Sequence, residues 1–218
     1  MAHAATGCFN PGMRDPTWLD WVRRLQAIAR TGDHYAASEY DRLRYAEVLE
    51  IAAQMAAAGS GAPIEVIKDL FSSADGYATP LIDVRGAVIK DGRILLVKER
   101  SDGRWALPGG WADVGESPSV GIEREVREES GYEVRAVKLA ALFDRNRHGH
   151  PPALFHAWRA FFLCELLGGS AKPSLETEAA EFFRPDELPP LSTGRTTESQ
   201  ILHMFEHHQD PGRPTSFD

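Results

Sequence analysis

With 218 residues, 43% of them apolar and 26% charged, the chain has ordinary globular composition and room for one sizeable domain, or a medium domain with a small companion. Its 32 Asp and Glu outnumber 24 Lys and Arg, a net charge of −8, which argues against a general nucleic-acid-binding surface but not against a small phosphate-bearing substrate whose charge a metal ion offsets. No run approaches the roughly 18 apolar residues of a membrane span. The start of the chain lacks the basic and apolar segments of a secretion signal. Cys8 and Cys164 are therefore expected as free thiols of a cytoplasmic protein.

Residues 1–14 are punctuated by Gly and Pro and are expected to be disordered. Asp15–Pro16 then reads as a cap and first-turn proline, followed at helical spacing by Trp18, Trp21, Val22, Leu25, Ile28 and Ala29. Gly32 is expected to end that helix. Ser38 opens a second helix with an apolar stripe of Leu43, Val48, Ile51, Ala52 and Met55, stopped by Gly59–Ser60–Gly61. Pro63 opens a short third through Ile64, Ile67, Leu70 and Phe71. Residues 15–75 thus read as a small all-helical domain with a thin core, which is expected to lean on a second copy through its aromatic side chains.

After Ser72–Gly76 the pattern changes to strands. Asp83–Ile89 and Arg93–Lys98 flank Asp91–Gly92, a strong hairpin signal. Glu133–Phe143 reads as one or two strands, Phe155–Glu165 as another, and Ser199–His207 as a final helix. The second domain is expected over residues 76–208, with a flexible tail at 209–218.

The informative segment runs from Leu107 to Tyr132. Ser117 can cap a helix that starts at Pro118, and Gly131 is placed to end it. Glu125, Glu128 and Glu129 fall at i, i+3 and i+4, so their carboxylates share a face. Such a cluster of hard oxygen ligands suits Mg²⁺ or Mn²⁺. Arg124 can pair with Glu128 one turn on or steer Glu125. Gly109 and Gly110, without a Cβ, let backbone approach a metal or phosphate, and the Gly109 carbonyl is a further candidate ligand. Glu116 can complete the cluster or anchor the loop. Gly121, inside the helix, costs about 1 kcal/mol relative to Ala, which close packing would explain.

This segment resembles the Nudix hydrolase signature, Gly–x5–Glu–x7–Arg–Glu–U–x–Glu–Glu–x–Gly–U with U bulky and apolar. Gly110, Glu116, Arg124, Glu125, Val126, Glu128, Glu129 and Gly131 match, and Tyr132 departs mildly from the usual aliphatic residue. The resemblance spans about residues 80–190. It implies an α/β/α sandwich around a mixed sheet and Mg²⁺-dependent hydrolysis of a nucleoside diphosphate linked to another group. Glu125 and Glu129 would hold the metal, with Glu128 assisting as a secondary ligand, and Glu125 and Glu128 would also serve in catalysis. The proton acceptor varies across the family; Glu176, Glu178 and Glu181 are the candidates here, with Glu178 slightly ahead.

Asp144–Pro152 lies between two strands, and Arg145, His148 and His150 are candidate substrate contacts, as is Arg85. Trp105 and Trp111 can stack on a base or face a quaternary ammonium. Together with the helical N-terminal domain and Phe182–Phe183, the arrangement looks like the Nudix subgroup that includes CDP-choline pyrophosphatases. That likeness implies a homodimer joined by the N-terminal helices and cleavage of CDP-choline to CMP and phosphocholine, with ADP-ribose as the alternative substrate. A non-catalytic, ligand-sensing protein is the reading from another class. It is disfavoured because every signature carboxylate is intact and the extra module is acidic rather than a basic DNA-binding one.

Overall fold

The computed structural model describes residues 15–72 and 77–218. The expected disorder of 1–14, the 73–76 part of the linker, and Cys8 lie outside those residues. The chain divides into two compact units, one made of residues up to Pro80 together with Pro152–His156, the other of Leu81–Pro151 and Ala157–Asp218.

The first unit holds α1 (Thr17–Tyr35), α2 (Glu39–Ser60) and α3 (Ile64–Ser72). Ser38 caps α2 by accepting from the Asp41 amide at 3.1 Å, and Gly61 ends it in the left-handed region at φ 72°. Gly32 does not stop α1, which continues to Tyr35. Its missing Cβ is used sideways instead: a methyl there would lie 2.2 Å from the Tyr45 ring of α2. Gly59 of α2 is the reciprocal notch, where a Cβ would sit 2.4 Å from the Trp18 indole of α1. The core is correspondingly built from small residues. Ala52, Ala53 and Ala56 pack on Val22, Ile67 and Phe71, while Leu43 and Ile51 of the expected stripe stay exposed, as do Trp21 and Ile28. With two aromatic-filled notches drawing the helices together, alanine is what fits between them. Leu154 packs on this same cluster, and Arg23 is bonded to the Ala153 carbonyl, so Phe155 belongs to this unit rather than to a strand.

The second unit contains β1 (Leu81–Lys90), β2 (Arg93–Glu99), β3 (Trp105–Ala106), α4 (Pro118–Ser130), β4 (Tyr132–Asp144), β5 (Ala157–Gly169), β6 (Thr177–Phe183), α5 (Glu198–Gln209) and β7 (Ser216–Phe217). The sheet runs β3-β2-β1-β5-β4-β7, with β6 also pairing β2. It is mixed, since β1–β5 and β4–β7 are parallel and the other pairs antiparallel. Asp91 and Gly92 both take positive φ, 50° and 70°, the turn a two-residue hairpin demands. β4 is one strand with three register shifts against β5.

Strand residues alternate between two cores. Val84, Val88, Leu95, Val97 and Phe162 pack under Ile122 and Val126 of α4; Ala87, Ile94, Leu96 and Phe161 pack under Ile201, Met204 and Phe205 of α5. Both faces are buried, which explains why these strands read as continuous apolar runs. Burying Ile122 and Val126 contributes roughly 1.5–3 kcal/mol each. The result is the helix–sheet–helix sandwich expected of the chain.

The tail, expected to be flexible, is laid along the sheet. The outer edge of β4 presents unpaired backbone groups that recruit a strand. Ser216 pairs with Ala141 and Phe217 with Leu142, the Lys138 ammonium donates to the Pro211 and Arg213 carbonyls at 3.2 and 2.7 Å, and Thr215 donates to the Leu139 carbonyl. Among the described residues no helix is long and apolar enough to cross a membrane.

Candidate functional site

The glutamate-bearing helix α4 forms as its local sequence dictates. Ser117 accepts from the Val120 amide, Pro118 sits in the first turn, and Gly131 adopts φ 78° at the C-terminal end. Gly86 of β1 lies beneath it, where a Cβ would come within 2.8 Å of Val126. The helix therefore rides close to the sheet, and its carboxylates reach the loop that follows β3. That loop is laid along β1: Val84 donates to the Gly110 carbonyl at 2.8 Å, Gly86 to Pro108 at 2.9 Å, and Ala112 to Ile82 at 2.9 Å.

The three glutamates have distinct environments. Glu129 is 6% exposed and accepts from the Gly109 amide at 2.8 Å. Burial pushes its carboxyl up to about 8, against the pull of Arg85 and the Gly109 amide. Glu125 lies against Gly110, where a Cβ would sit 3.1 Å from its Oε1. Burial raises its carboxyl as well, with Arg124 opposing. Glu128 is more than half exposed and accepts from Arg124 at 3.0 Å. Arg124 is the hub, donating to Glu116, Glu125, Glu128 and Asp113 at 3.0–3.1 Å. Both expected partners are thus engaged at once, and Glu116 anchors the loop through Arg124. These bonds, that to Glu116 above all, hold the guanidinium more firmly charged than usual.

Among the described residues, no group of three or more Asp, Glu, His or Cys side chains is gathered as a ready-made metal cage. The donor set nonetheless fits a hard divalent cation of the Mg²⁺ type, which takes one or two carboxylates and leaves its other positions to water and phosphate oxygens. Glu129 is a buried acid and Glu125 a partly buried one, burial raises both carboxyls, and bare Gly109–Gly110 backbone lies beside them.

The other expected residues have partners of their own. Arg85 is 4% exposed and grips Asp83 through two bonds of 2.8 and 2.7 Å, with a third to the Leu107 carbonyl at 3.1 Å. Burial works against its charge, but Asp83 outweighs it. Its visible work is to hold the loop, not to face solvent. His150 is also inside: Nδ1 donates to the Thr193 carbonyl at 2.7 Å, and Nε2 accepts from Gln200 and Arg159, both at 2.9 Å. Burial, then Arg159, lowers it to about 3. His148 stacks on Phe143 at 4.0 Å and meets the Asp218 carboxylate at 2.8 Å. Arg145 is 4% exposed in the short 3₁₀ turn Arg145–Arg147. Of the expected substrate contacts, Trp111 is the one that is broadly open, at 45% exposure. Trp105 packs edge-on against Phe183 at 4.7 Å. Glu178 sits on β6 and pairs with Lys98 at 2.9 Å, which holds its carboxyl below the usual range. Cys164 is a buried free thiol, pushed by burial up to about 12.

Two expected outcomes follow from this geometry. A Cβ at Gly121 would meet Glu116 Oε2 at 3.4 Å and no other atom within 4 Å, so close packing does not account for this glycine. Gly121→Ala should raise stability by about 0.5–1 kcal/mol, read as a shift in the denaturation midpoint. His150 is neutral in the folded chain and titrates near 6.5 when unfolded, so its depressed value contributes stability that is present above pH 6.5 and lost as pH falls toward 3. Replacing it by Gln should flatten the fall in melting temperature between pH 6.5 and 4, compared with the unmodified chain.

Sequence reasoning missed Glu99, 4% exposed at the end of β2, whose charge is felt at both Glu129 and Arg85. Lying at the end of an apolar strand, it gave no motif signal. Thr177 was also missed; its hydroxyl donates to the Glu129 backbone carbonyl at the base of α4.

Residues 80–205 match the family model for the NUDIX domain, and residues 16–71 match that for a UDP-X-like N-terminal oligomerisation domain. The chain belongs to the Nudix hydrolase family. It is a Nudix pyrophosphatase preceded by a helical module. A putative ADP-ribose pyrophosphatase YjhB from Bacillus subtilis is 42% identical over 92% of this chain and 97% of its own. An ADP-ribose pyrophosphatase from Methanocaldococcus jannaschii is 32% identical over 53% of this chain and 69% of its own. Among solved Nudix structures, one described as a UDP-X diphosphatase is 32% identical, covering 94% of this chain and all of that one, with a TM-score of 0.61. An ADP-ribose pyrophosphatase from Streptococcus suis is 40% identical over 64% of this chain and all of that one, with a TM-score of 0.60.

Proposed function

We propose that the chain hydrolyses the diphosphate of a nucleoside diphosphate joined to a second moiety, with Mg²⁺ (or Mn²⁺) held by Glu125 and Glu129. The observation that carries this reading is the buried Glu129 carboxylate on the Gly109 amide, with the partly buried Glu125 carboxylate beside Gly110. When bound, such a cation lowers the pKa of a coordinated water and offsets charge on the diphosphate. The chain's own part is orientation. The Gly109 amide fixes Glu129, Arg124 fixes Glu125, and the Gly109 carbonyl is a further candidate ligand. For the proton acceptor, Glu178 is poorly suited, because Lys98 makes it a weaker base. Glu128 is paired in the same way with Arg124 at 3.0 Å, which leaves Glu176 and Glu181 as the candidates for the role.

For the second moiety, full-length similarity to a protein named for ADP-ribose favours ADP-ribose. CDP-choline is kept as the second reading because Trp111, 45% exposed, carries an indole, the ring that best attracts a quaternary ammonium. Incubation with ADP-ribose, CDP-choline and UDP-sugars in Mg²⁺ separates the cases. AMP with ribose 5-phosphate supports the first reading, CMP with phosphocholine the second. No Mg²⁺-dependent turnover of any member would overturn the proposal.

We also infer that two copies join through the helical unit. Trp21 and Ile28 are 51% and 57% exposed and, with Leu25 and Met55, line an apolar groove of about 330 Å³. The family description of this module as an oligomerisation domain supports this. The double variant Trp21→Asp, Ile28→Asp should halve the mass measured in solution; an unchanged mass would count against it.

A further inference from the structure

The segment between β6 and α5 takes no part in the signature, yet it is bonded to the site loop at several points. Trp105 donates to the Pro190 carbonyl at 3.0 Å, and Ser192 donates back to the Trp105 carbonyl at 2.8 Å. The Thr196 hydroxyl, fully buried, accepts from the Leu107 amide at 3.0 Å. The Leu107 carbonyl is taken by Arg85. Both backbone polar groups of Leu107 are therefore committed, and two residues later the Gly109 amide meets Glu129. The register of the cation-facing loop depends on where residues 190–196 lie.

His150 holds this segment at the Thr193 carbonyl and Arg159 at those of Gly194 and Arg195, and the Arg195 side chain ties it to the end of β2. Arg195 meets Glu99 through Nε at 3.2 Å, Ser101 through Nη2 at 3.2 Å and Ser192 through Nη1 at 3.2 Å. Ser192 in turn donates to Asp102 at 2.7 Å. The guanidinium fork spans the turn after β2 and the 190–197 segment together. A lysine ammonium could keep the charge but not the three directions. Glu99, the buried end of the clasp, is one strand away from the α4 terminus, since it pairs with Thr177 and Thr177 bonds the Glu129 carbonyl.

We propose that Arg195 and Glu99 are positioning residues for the cation site: their clasp fixes the 190–197 segment, which fixes Leu107 and hence the Gly109 amide that orients Glu129. Neither side chain need touch substrate. The inference rests on the cation reading above. A group that bonds a metal's ligand commonly governs the affinity by 10- to 100-fold; here that group is the Gly109 amide, and the clasp acts on it through Leu107.

The test is Mn²⁺ affinity, measured by titration calorimetry on the full chain, together with kcat and KM on whichever nucleotide is turned over. Arg195→Ala should weaken Mn²⁺ binding about tenfold and lower kcat more than it raises KM. Arg195→Lys should recover only part of the affinity. Glu99→Gln should resemble Arg195→Ala, and the double variant should be little worse than either single one, because the two act as a unit. Arg195→Lys also covers the case in which the alanine variant does not fold. If the unmodified chain binds Mn²⁺ and both Arg195 variants bind it equally well, the clasp proposal is overturned and the cation reading stands. If Arg195→Lys restores affinity completely, charge rather than positioning is responsible, and the proposal is likewise overturned. If the unmodified chain binds no Mn²⁺, the cation reading itself fails and takes this inference with it.

Discussion

Glu129→Gln is expected to abolish most turnover while leaving the fold intact. The substitution keeps shape and leaves an oxygen for the Gly109 amide, so the 2.8 Å contact can persist. What is lost is the negative charge offered to a cation. Electrostatic assistance from such a metal is worth several kcal/mol, so kcat should fall by roughly 10²–10³-fold. Stability should move the other way. Glu129 is a buried acid that burial pushes up to about 8, and its ionised form is a burden on the cation-free fold. In EDTA at neutral pH the variant should melt no lower than the unmodified chain, and Mn²⁺ should raise the melting temperature of the unmodified chain alone. Near-normal turnover in the variant, or an equal rise with Mn²⁺ in both, would refute the assignment of Glu129.

Gly109→Ala is expected to be the most damaging change of a single methyl. Gly109 has φ 140°, and a Cβ there would stand 2.0 Å from the Val84 carbonyl oxygen, a backbone atom of β1. Backbone strain and forced displacement together should cost about 3 kcal/mol, and the fraction that folds should have a displaced Glu129. Gly103→Ala is the control. Gly103 also has positive φ, 67°, but open space around it, so its cost should be only the left-handed penalty of about 1 kcal/mol. Denaturant midpoints for both variants would check the contrast. Equal costs would mean that close approach at Gly109 is not what matters.

What could be read ahead of the structure was whatever is decided locally. The cap at Ser117, Pro118 in the first turn, Gly131 at the end and the Asp91–Gly92 turn all depend on a few neighbouring dihedrals, and the helical spacing of Glu125, Glu128 and Glu129 follows from them. Gly32 looked like a stop by the same local logic, but a ring from another helix needed the space, and tertiary packing overrode the terminator. The tail looked loose because Pro211, Gly212 and Pro214 forbid a helix; nothing local announces that the β4 edge is waiting for a strand. Arg85 and His150 carried the right chemistry for a substrate, yet Asp83, two residues away on the same strand, takes Arg85, while β5, the 190–197 segment and α5 bring Arg159, Thr193 and Gln200 to His150. Glu99 was invisible for the same reason: its importance comes from a guanidinium almost a hundred positions away in the chain.

The parallel pairing of β1 with β5 has a consequence for how the chain acquires its fold. Leu81 pairs with Ala157 and Val88 with Cys164, so the centre of the sheet joins segments separated by most of the second unit. Contacts of such long sequence separation are slow to form, because a large loop must close before any are gained. The α1–α2 pair, by contrast, is made by neighbours in the chain. During synthesis the helical hairpin can assemble early, whereas β1 and β2 must wait with apolar faces bare until β5 has been made. Pulse-labelled hydrogen exchange should find the amides of β1 and β5 protected in one shared late phase, and those of α2 before it.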